Sequence, residues 1–120
     1  GASMEKNIVL VKSLAFALRI VKLNGHLAKV KKEFTLSNEL LRAGTNVGKH
    51  VKEATSAESR EVFAGEFGIA RRKASETEYW LELLLLSGLL SQKEFESIDA
   101  DRIEIAKLIN AIITTTRKNV

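Results

Sequence analysis

The sequence contains no proline, no cysteine and few aromatic residues: five phenylalanines, one tyrosine and one tryptophan among 120 residues. Proline is the residue that most strongly interrupts a helix, so its absence favours long helices over sheets. Without cysteine the chain can form neither disulfides nor thiolate metal sites. No apolar run approaches the roughly 20 residues that span a bilayer. We therefore expect a helical, cytoplasmic protein with no signal peptide, no membrane association and no metal or cofactor.

The charge balance of the chain is moderately basic. Nineteen lysine and arginine residues stand against 15 acidic ones, which gives a formal net charge of +4. That excess alone is weak evidence for a nucleic-acid partner, because the distribution of charge over the surface decides whether phosphates can bind. In a closed oligomer the excess would be multiplied by the number of subunits.

Apolar periodicity predicts four helices. Their predicted bounds are about residues 5–32, 36–55, 57–87 and 92–117. Gly1-Ala2-Ser3 before Met4 is interpreted as a cloning remnant, so the single predicted domain covers residues 4–120. The connections are short, which makes consecutive helices antiparallel neighbours and predicts an all-α, up-down-up-down four-helix bundle. The apolar stripe from Phe63 to Leu84 repeats every seven residues, a spacing that favours left-handed packing.

Capping residues are expected at the ends of these helices. The predicted N-caps of the second and third helices are Thr35 or Ser37, and Ser56. Gly88 stands where a C-cap glycine belongs, and Ser91 with Glu94 has the form of a capping box that opens the fourth helix. The segment Asp-Ala-Asp at 99–101 is expected to break or re-cap that last helix.

The first helix is apolar on two nearly opposite faces. One stripe runs through Phe16, Ile20, Leu23, Leu27, Val30 and Phe34, and the other through Val11, Leu14, Leu18, Val21 and Ala28. A helix in a lone small bundle needs one buried face, so the second stripe predicts a contact with another copy of the chain. The third helix also has a second apolar face. The residues that we expect at the subunit interface are Phe16, Ile20, Leu23, Leu27, Tyr79, Trp80, Leu83 and Leu86. The alternative is a crowded monomer with a buried central helix.

Polar side chains follow the second helix beside its apolar stripe, at steps of three and four residues. Together with a glutamate of the third helix, they are interpreted as a structural polar seam that consists of Arg42, Asn46, His50, Glu53 and Glu76. Each member of such a seam needs a partner, because an orphaned buried charge is costly. The same line could instead bind a ligand or nucleic acid, or it could be a solvated face.

A line of basic side chains on the first helix lies between its two apolar stripes. The candidate phosphate contacts are Arg19, Lys22, His26 and Lys29, with Lys49, Lys52, Arg71 and Arg72 as a second group. Repeated around a ring of subunits, these side chains would form basic patches suited to a phosphate backbone. Lines of this kind are more often simply solvated, and that alternative stays open.

Two glycines lie one turn apart on the second helix. Gly44 and Gly48 are expected to permit the close approach of a neighbouring helix. They do not form a phosphate-binding loop, because no strand precedes them and no Lys-Ser/Thr pair follows them.

Signals for catalysis are few. Neither His26 nor His50 has a glutamate three residues before it, which excludes the Glu-x-x-His pairs of a di-iron bundle. Arg19 and His26, with six residues between them, resemble the Arg-x(4–6)-His motif of HEPN-type helical ribonucleases. That spacing arises easily by chance, and it lies on the first helix rather than on a late one. We therefore expect no enzymatic activity, with metal-independent RNA cleavage as an alternative.

Two longer segments resemble a bacterial family of four-helix bundles. They are Leu-Leu-Arg-Ala-Gly-Thr-Asn-Val-Gly at 40–48 and Glu-Thr-Glu-Tyr-Trp-Leu-Glu-Leu-Leu at 76–84. The family comprises the proteins encoded in intervening sequences of 23S ribosomal RNA genes, and the resemblance extends from about Ser13 to Lys118. It implies a left-handed bundle that assembles as a ring, typically a homopentamer, with no established molecular activity.

Related accessory proteins of diversity-generating retroelements look like the same fold and engage nucleic acid and a reverse transcriptase through a basic ring surface. The resemblance therefore implies a non-enzymatic oligomer that binds RNA or DNA, or else an adaptor that recruits a nucleic-acid-processing protein. Two departures make the seam more basic than is usual in the family. They are His50, where asparagine is common, and Arg72-Lys73, where Lys-Glu is common.

Overall fold

A computed structural model describes residues 2–118 and contains four helices. They are α1 (Ala2–Lys29), α2 (Thr35–Ala54), α3 (Arg60–Leu86) and α4 (Gln92–Lys118). Each helix packs against its neighbours in sequence, and α1 closes the bundle against α4, whereas the Cα atoms of the diagonal pairs stay more than 8 Å apart within this range. The predicted all-α, up-down-up-down bundle is confirmed. It is 48 Å long and about 20 Å across, with extents of 22 and 19 Å in the other directions.

The core is formed by one stripe from each helix. The largest fully buried side chains include Phe16, Ile20 and Leu27 of α1, Leu40, Val47 and Val51 of α2, Phe67, Leu81 and Leu84 of α3, and Ile105 and Ile109 of α4. The apolar periodicity of α2, which runs from Leu36 to Ala54, and the predicted stripe of α3 therefore mark the buried faces of both helices. Burying each large aliphatic or aromatic side chain contributes about 1.5–3 kcal/mol before the cost in conformational entropy is subtracted.

At the starts of α2 and α3 the capping residue differs from the predicted one, whereas at the start of α4 it does not. At α2 the Glu33 carboxylate, rather than Thr35 or Ser37, accepts the N–H groups of the first turn, including that of Ser37 at 3.0 Å. At α3 the N-cap is Ser59, whose hydroxyl accepts the N–H of Val62 at 3.1 Å, so the helix begins three residues later than Ser56 allows. Residues 55–59 are instead used to turn the chain between α2 and α3.

The connection between α3 and α4 is built as predicted. Gly88 has a positive φ of 80°, the backbone conformation that favours glycine at a helix C-terminus. Ser91 and Glu94 form the capping box, because the Ser91 hydroxyl accepts the Glu94 N–H at 3.1 Å and the Glu94 carboxylate accepts the Ser91 N–H at 2.8 Å. This reciprocal pair fixes the direction in which α4 leaves the turn.

The expected break at 99–101 does not occur, and α4 is continuous. Arg102 and Asp99 are 7% and 8% exposed, and Arg102 donates from Nε to the Asp99 carboxylate and from its terminal nitrogen to Glu78 of α3 at 2.8 Å. The ion pairs hold Asp99 inside the bundle, so its local preference for a cap or turn is overridden by tertiary contacts.

Both glycines of α2 contact α1 closely, which confirms the expected role. A Cβ on Gly44 would lie 2.8 Å from Cγ1 of Ile20, and a Cβ on Gly48 would lie 3.3 Å from the backbone oxygen of Ser13. Ser13 is itself fully buried, and its hydroxyl has no hydrogen-bond partner among the described residues. A small residue on each helix therefore allows the two backbones to approach.

Candidate nucleic-acid interface

Part of the basic line on α1 is paired with acidic residues of α4. Lys12 forms an ion pair with Glu104 at 2.5 Å, and Arg19 forms one with Asp101 at 2.7 Å. Arg19 also donates to the backbone oxygen and the hydroxyl of Ser97, at 3.2 and 3.0 Å. These two cations therefore hold α1 against α4.

Beyond Arg19, towards the C-terminal end of α1, the two helices enclose an open groove of about 500 Å³. It is lined by Arg19, Lys22, Leu23, His26, Leu90, Lys93, Glu94, Ser97 and Ile98. We call it the α1/α4 groove. Leu23, Leu90 and Ile98 give it an apolar floor, since Leu90 and Ile98 are buried and Leu23 is half-buried. Lys22 and Lys93 give it a cationic rim, which His26 also borders.

Three of the predicted phosphate contacts, Arg19, Lys22 and His26, therefore meet at one site. Lys93 is not among the predicted contacts, and the turn after α3 places it opposite α1 in the groove. Its place beside the Ser91–Glu94 capping box is the one signal that could have suggested its position. Within residues 2–118, neither Lys22 nor Lys93 has a hydrogen bond or an ion pair, so both ammonium groups are available to an anion.

Glu94 is the acidic member of the groove. The N–H of Ser91 donates to its carboxylate and lowers its pKa below the ordinary value of 4.5, and the Ser91 hydroxyl, His26 and Lys31 act in the same direction against a small opposing effect of burial. The carboxylate is therefore ionised at neutral pH and can only accept hydrogen bonds. One of its oxygens, Oε1, is occupied by the Ser91 N–H.

The remaining predicted phosphate contacts lie apart from this groove. Lys29 is exposed on α1 but does not line it, and Lys49 and Lys52 border a different groove between α1 and α2. Arg71 and Arg72 are exposed on α3, where Arg71 donates to the Asn110 side chain at 3.4 Å. The eight basic residues thus do not form one continuous surface.

The predicted polar seam is not a single network. His50 pairs through Nδ1 with Glu66 of α3 at 2.8 Å, and both side chains are largely buried. The other pairs lie within one helix: Arg42 with Glu39 at 3.4 Å and Glu76 with Lys73 at 3.2 Å. Asn46 is half-buried and Glu53 is exposed. Among the described residues, His50 is the member of this set that bonds to another helix.

The predicted subunit interface divides into buried and exposed residues. Phe16, Ile20 and Leu27 are fully buried in the core of the chain itself, so their assignment to a contact with a second copy is wrong. Leu23 belongs to the α1/α4 groove, and Trp80 packs partly buried against the core. Leu83 is half-buried, whereas Tyr79 and Leu86 are 56% and 82% exposed.

The exposed apolar face of α1 is the second stripe. Val11, Leu14, Leu18 and Val21 are between 49% and 68% exposed. Two of these residues line an apolar groove of about 460 Å³ between α1 and α2. In it Leu10, Val11, Leu14 and Ala17 of α1 lie opposite Thr45 and Gly48 of α2. Sequence periodicity identifies both apolar faces of α1, and the structure shows that the stripe with Phe16, Ile20 and Leu27 is the one buried in the bundle.

No group of three or more histidine, aspartate or glutamate side chains in the described part of the chain is arranged to hold a metal ion. Nor does any helix within residues 2–118 have the length and apolar character needed to cross a membrane.

Comparison with known proteins identifies the family. The model of a family described as 23S rRNA-intervening sequence protein matches residues 5–111. The chain is also similar to the crystal structure of a protein of unknown function from the S23 ribosomal protein family of Bacteroides thetaiotaomicron. The two are 44% identical, the match covers 92% of this chain and 98% of that one, and the TM-score is 0.91. The search of curated proteins returned no match. As the resemblance in its sequence predicted, the chain belongs to the 23S rRNA-intervening sequence protein family.

Proposed function

We propose that this protein is a non-enzymatic nucleic-acid-binding protein that contacts RNA or DNA through the α1/α4 groove. The observation that carries the proposal is the pair Lys22 and Lys93, which flank the groove from two helices without a partner among the described residues. Lysine ammonium groups bind phosphates as point charges and release condensed counterions when they do so. His26 adds a third rim position that can donate to a phosphate oxygen.

Arg19 supports the site without being its main cation. Its guanidinium already donates to Asp101 and Ser97, so it is positioned by α4 and has less capacity for a phosphate than Lys22 or Lys93. The same contacts argue against RNA cleavage by Arg19 and His26, because an arginine that steadies a reacting phosphate needs its donors free. Ribonuclease activity is therefore not part of the proposal.

We further propose that copies of the chain assemble through the exposed apolar faces of α1 and α3. Isolated exposed apolar residues are ordinary, but Val11, Leu14, Leu18 and Val21 form a contiguous patch beside an apolar groove. Because the α1 and α3 patches differ, contact between them would be head-to-tail and would generate a ring if it closes.

Five copies is the number that the family resemblance implies. In such a ring the α1/α4 groove repeats, so one strand could occupy several grooves. The proposed location is the cytoplasm.

Fluorescence anisotropy with a labelled, structured RNA and a matched DNA duplex tests the binding proposal. At low salt we expect binding that weakens steeply as salt rises from about 50 to 200 mM, by roughly 10³-fold or more if six to ten phosphates are contacted. The double variant Lys22→Glu/Lys93→Glu should abolish it. The control is Lys107→Glu/Lys118→Glu, which makes the same charge change at exposed positions of α4 outside the groove. Equal losses in both variants, or no binding at low salt, would overturn the proposal.

Assembly is tested by the mass of the protein in solution. Leu14→Asp and Leu18→Asp place a charge in the α1 patch, and we expect both to lower the mass without loss of helicity. Ala111→Asp places the same charge at an exposed position of α4 and should leave the mass unchanged. A monomeric wild-type protein would refute the assembly proposal and leave the groove proposal standing.

A protein-binding adaptor is the second candidate, and the apolar groove between α1 and α2 is the observation that favours it. Lys49 and Lys52 border that groove, so it suits an amphipathic helix that carries acidic residues. Co-purification of a nucleic-acid-processing protein that is lost in Leu14→Asp, without salt-sensitive binding to free RNA, would support the adaptor instead.

A further inference from the structure

The α1/α4 groove contains more than a phosphate needs. Its cationic rim is what binding of an anion requires. Binding of a phosphate requires neither its apolar floor of Leu23, Leu90 and Ile98 nor its one carboxylate, Glu94. A carboxylate repels a phosphate at close range, so its presence weakens a site that serves phosphate alone. The ligand that fits all three features has an anionic group, a flat apolar part and N–H donors that face the carboxylate.

We propose that the groove holds one unpaired guanine nucleotide of the bound strand, with its phosphate at Lys22 and Lys93, its base over the apolar floor and its Watson–Crick edge at Glu94. This rests on the proposed nucleic-acid binding and names the part of the strand that the groove selects. The groove volume of about 500 Å³ is within the range of sites that enclose small ligands.

Glu94 selects guanine because of how its carboxylate is held. Oε1 accepts the Ser91 N–H at 2.8 Å, which orients the group, whereas Oε2 has no partner among the described residues. An ionised carboxylate accepts and never donates. Guanine presents two adjacent donors, N1–H and the N2 amino group, to such an acceptor. Adenine and cytosine each place a ring-nitrogen acceptor beside their amino group, and uracil places carbonyl oxygens on both sides of its one N–H, so each would turn a lone pair towards Glu94.

The guanine has to be unpaired. In a duplex its N1–H and N2 amino group are engaged with cytosine, and the base is stacked between its neighbours, so neither the edge nor the face is available to the groove. Loops, bulges and single-stranded ends expose both. A duplex should therefore bind only through its phosphates, and more weakly than a strand that contains one exposed guanine.

The test uses labelled, uridine-rich RNA strands of one length with a single central position that is guanine, inosine, adenine or uridine. Inosine differs from guanine only in lacking the N2 amino group, and a hydrogen bond to a charged acceptor is worth about tenfold in affinity. We expect the guanine strand to bind about tenfold more tightly than the inosine strand, with the adenine and uridine strands weaker still or equal to inosine.

Glu94→Gln is the matching variant, because glutamine preserves a capping box and so keeps the start of α4. It removes the acceptor charge, so we expect it to lose the preference for guanine while binding the uridine strand as tightly as the wild type or more tightly. Lys22→Glu/Lys93→Glu should lose binding to all strands, and Lys107→Glu should keep the preference. Circular dichroism and thermal unfolding confirm that each variant is folded.

The outcomes separate this inference from the proposed function. Salt-dependent binding that requires Lys22 and Lys93 but is equal for all four strands overturns the guanine site and leaves nucleic-acid binding intact. A guanine preference that survives in Glu94→Gln also overturns it, since another group must then read the base. The absence of binding to every strand overturns both.

Discussion

Arg19 of α1 and Asp101 of α4 form an ion pair of 2.7 Å at the edge of the α1/α4 groove. The pair closes the bundle between its first and last helices and withholds one arginine from the groove. Both side chains are roughly half exposed, so the pair contributes only about 0.2–1 kcal/mol to the stability of the fold. Its larger effect is on the charge that a ligand in the groove meets.

Asp101→Asn should therefore raise affinity for RNA while it slightly lowers stability. The substitution releases the Arg19 guanidinium and removes a negative charge beside the groove, so the slope of log affinity against log salt should steepen by about one. Anisotropy titrations at several salt concentrations measure it. Glu82→Gln removes the same charge from an exposed position of α3 and should change the affinity little. Equal gains in both variants would mean that net charge, and not the groove, governs binding.

Arg102→Ala should strongly destabilise the fold. It leaves Asp99 as an unpaired carboxylate that is 8% exposed, and removing one partner of a buried pair typically costs on the order of 3–5 kcal/mol. Glu78→Gln should cost much less, because the Glu78 side chain is 44% exposed and water can replace its contact with Arg102. Urea unfolding of the two variants compares them, and similar losses would show that the cluster is not anchored at Asp99.

Gly44→Ala should destabilise the α1–α2 contact, whereas Gly65→Ala should stabilise α3. The added methyl group at Gly44 would lie 2.8 Å from Ile20 Cγ1, and overpacking of this kind costs about 1–3 kcal/mol. At Gly65 the added methyl group would have no atom within 4 Å apart from the adjoining residues and backbone of α3 itself, and alanine is favoured over glycine inside a helix by about 0.5–1 kcal/mol. Thermal unfolding should therefore shift in opposite directions. A shift in the same direction would contradict the close approach at Gly44.

Glu94 should contribute to stability in a pH-dependent way. The Ser91 N–H holds its pKa below 4.5 in the folded protein, so its contribution is present above that value and is lost as pH falls through the lower folded value. Glu94→Gln lacks this titration. We expect any stability advantage of the wild type over Glu94→Gln to be constant near neutral pH and to shrink below about pH 4.5, as measured by urea unfolding. A difference that grows in acid would contradict the assigned capping contact.

The sequence predicts the fold well because local and tertiary signals agree in α2 and α3. The stripe from Phe63 to Leu84 repeats every seven residues, which distinguishes the buried face of α3 from its second apolar face, and the short connection around Gly88 leaves only an antiparallel return. In α1 the two apolar faces are alike, so periodicity could not tell that Phe16 faces the core and Leu14 faces outwards. The continuity of α4 at Asp99 depends on an arginine three residues later and a glutamate on another helix, which no local pattern reveals.

The candidate site was predictable only in part, for a similar reason. Arg19, Lys22 and His26 share one side of a single helix, so helical spacing alone places them together. Lys93 joins them through a turn and a helix crossing, and the pairing of Arg19 with Asp101 depends on the same packing. Contacts between helices distant in sequence therefore decide which of the predicted cations are free.

Methyl NMR of isoleucine- and leucine-labelled protein, titrated with a single-stranded RNA, shows whether nucleic acid binds in the α1/α4 groove. We expect the methyl groups of the groove floor, Leu23, Leu90 and Ile98, to shift first and most. The methyl groups of Leu14 and Leu18 on the outer face of α1 should stay in place. Shifts confined to that outer face, or to the methyl groups of Leu83 and Leu86 on α3, would contradict binding in the groove.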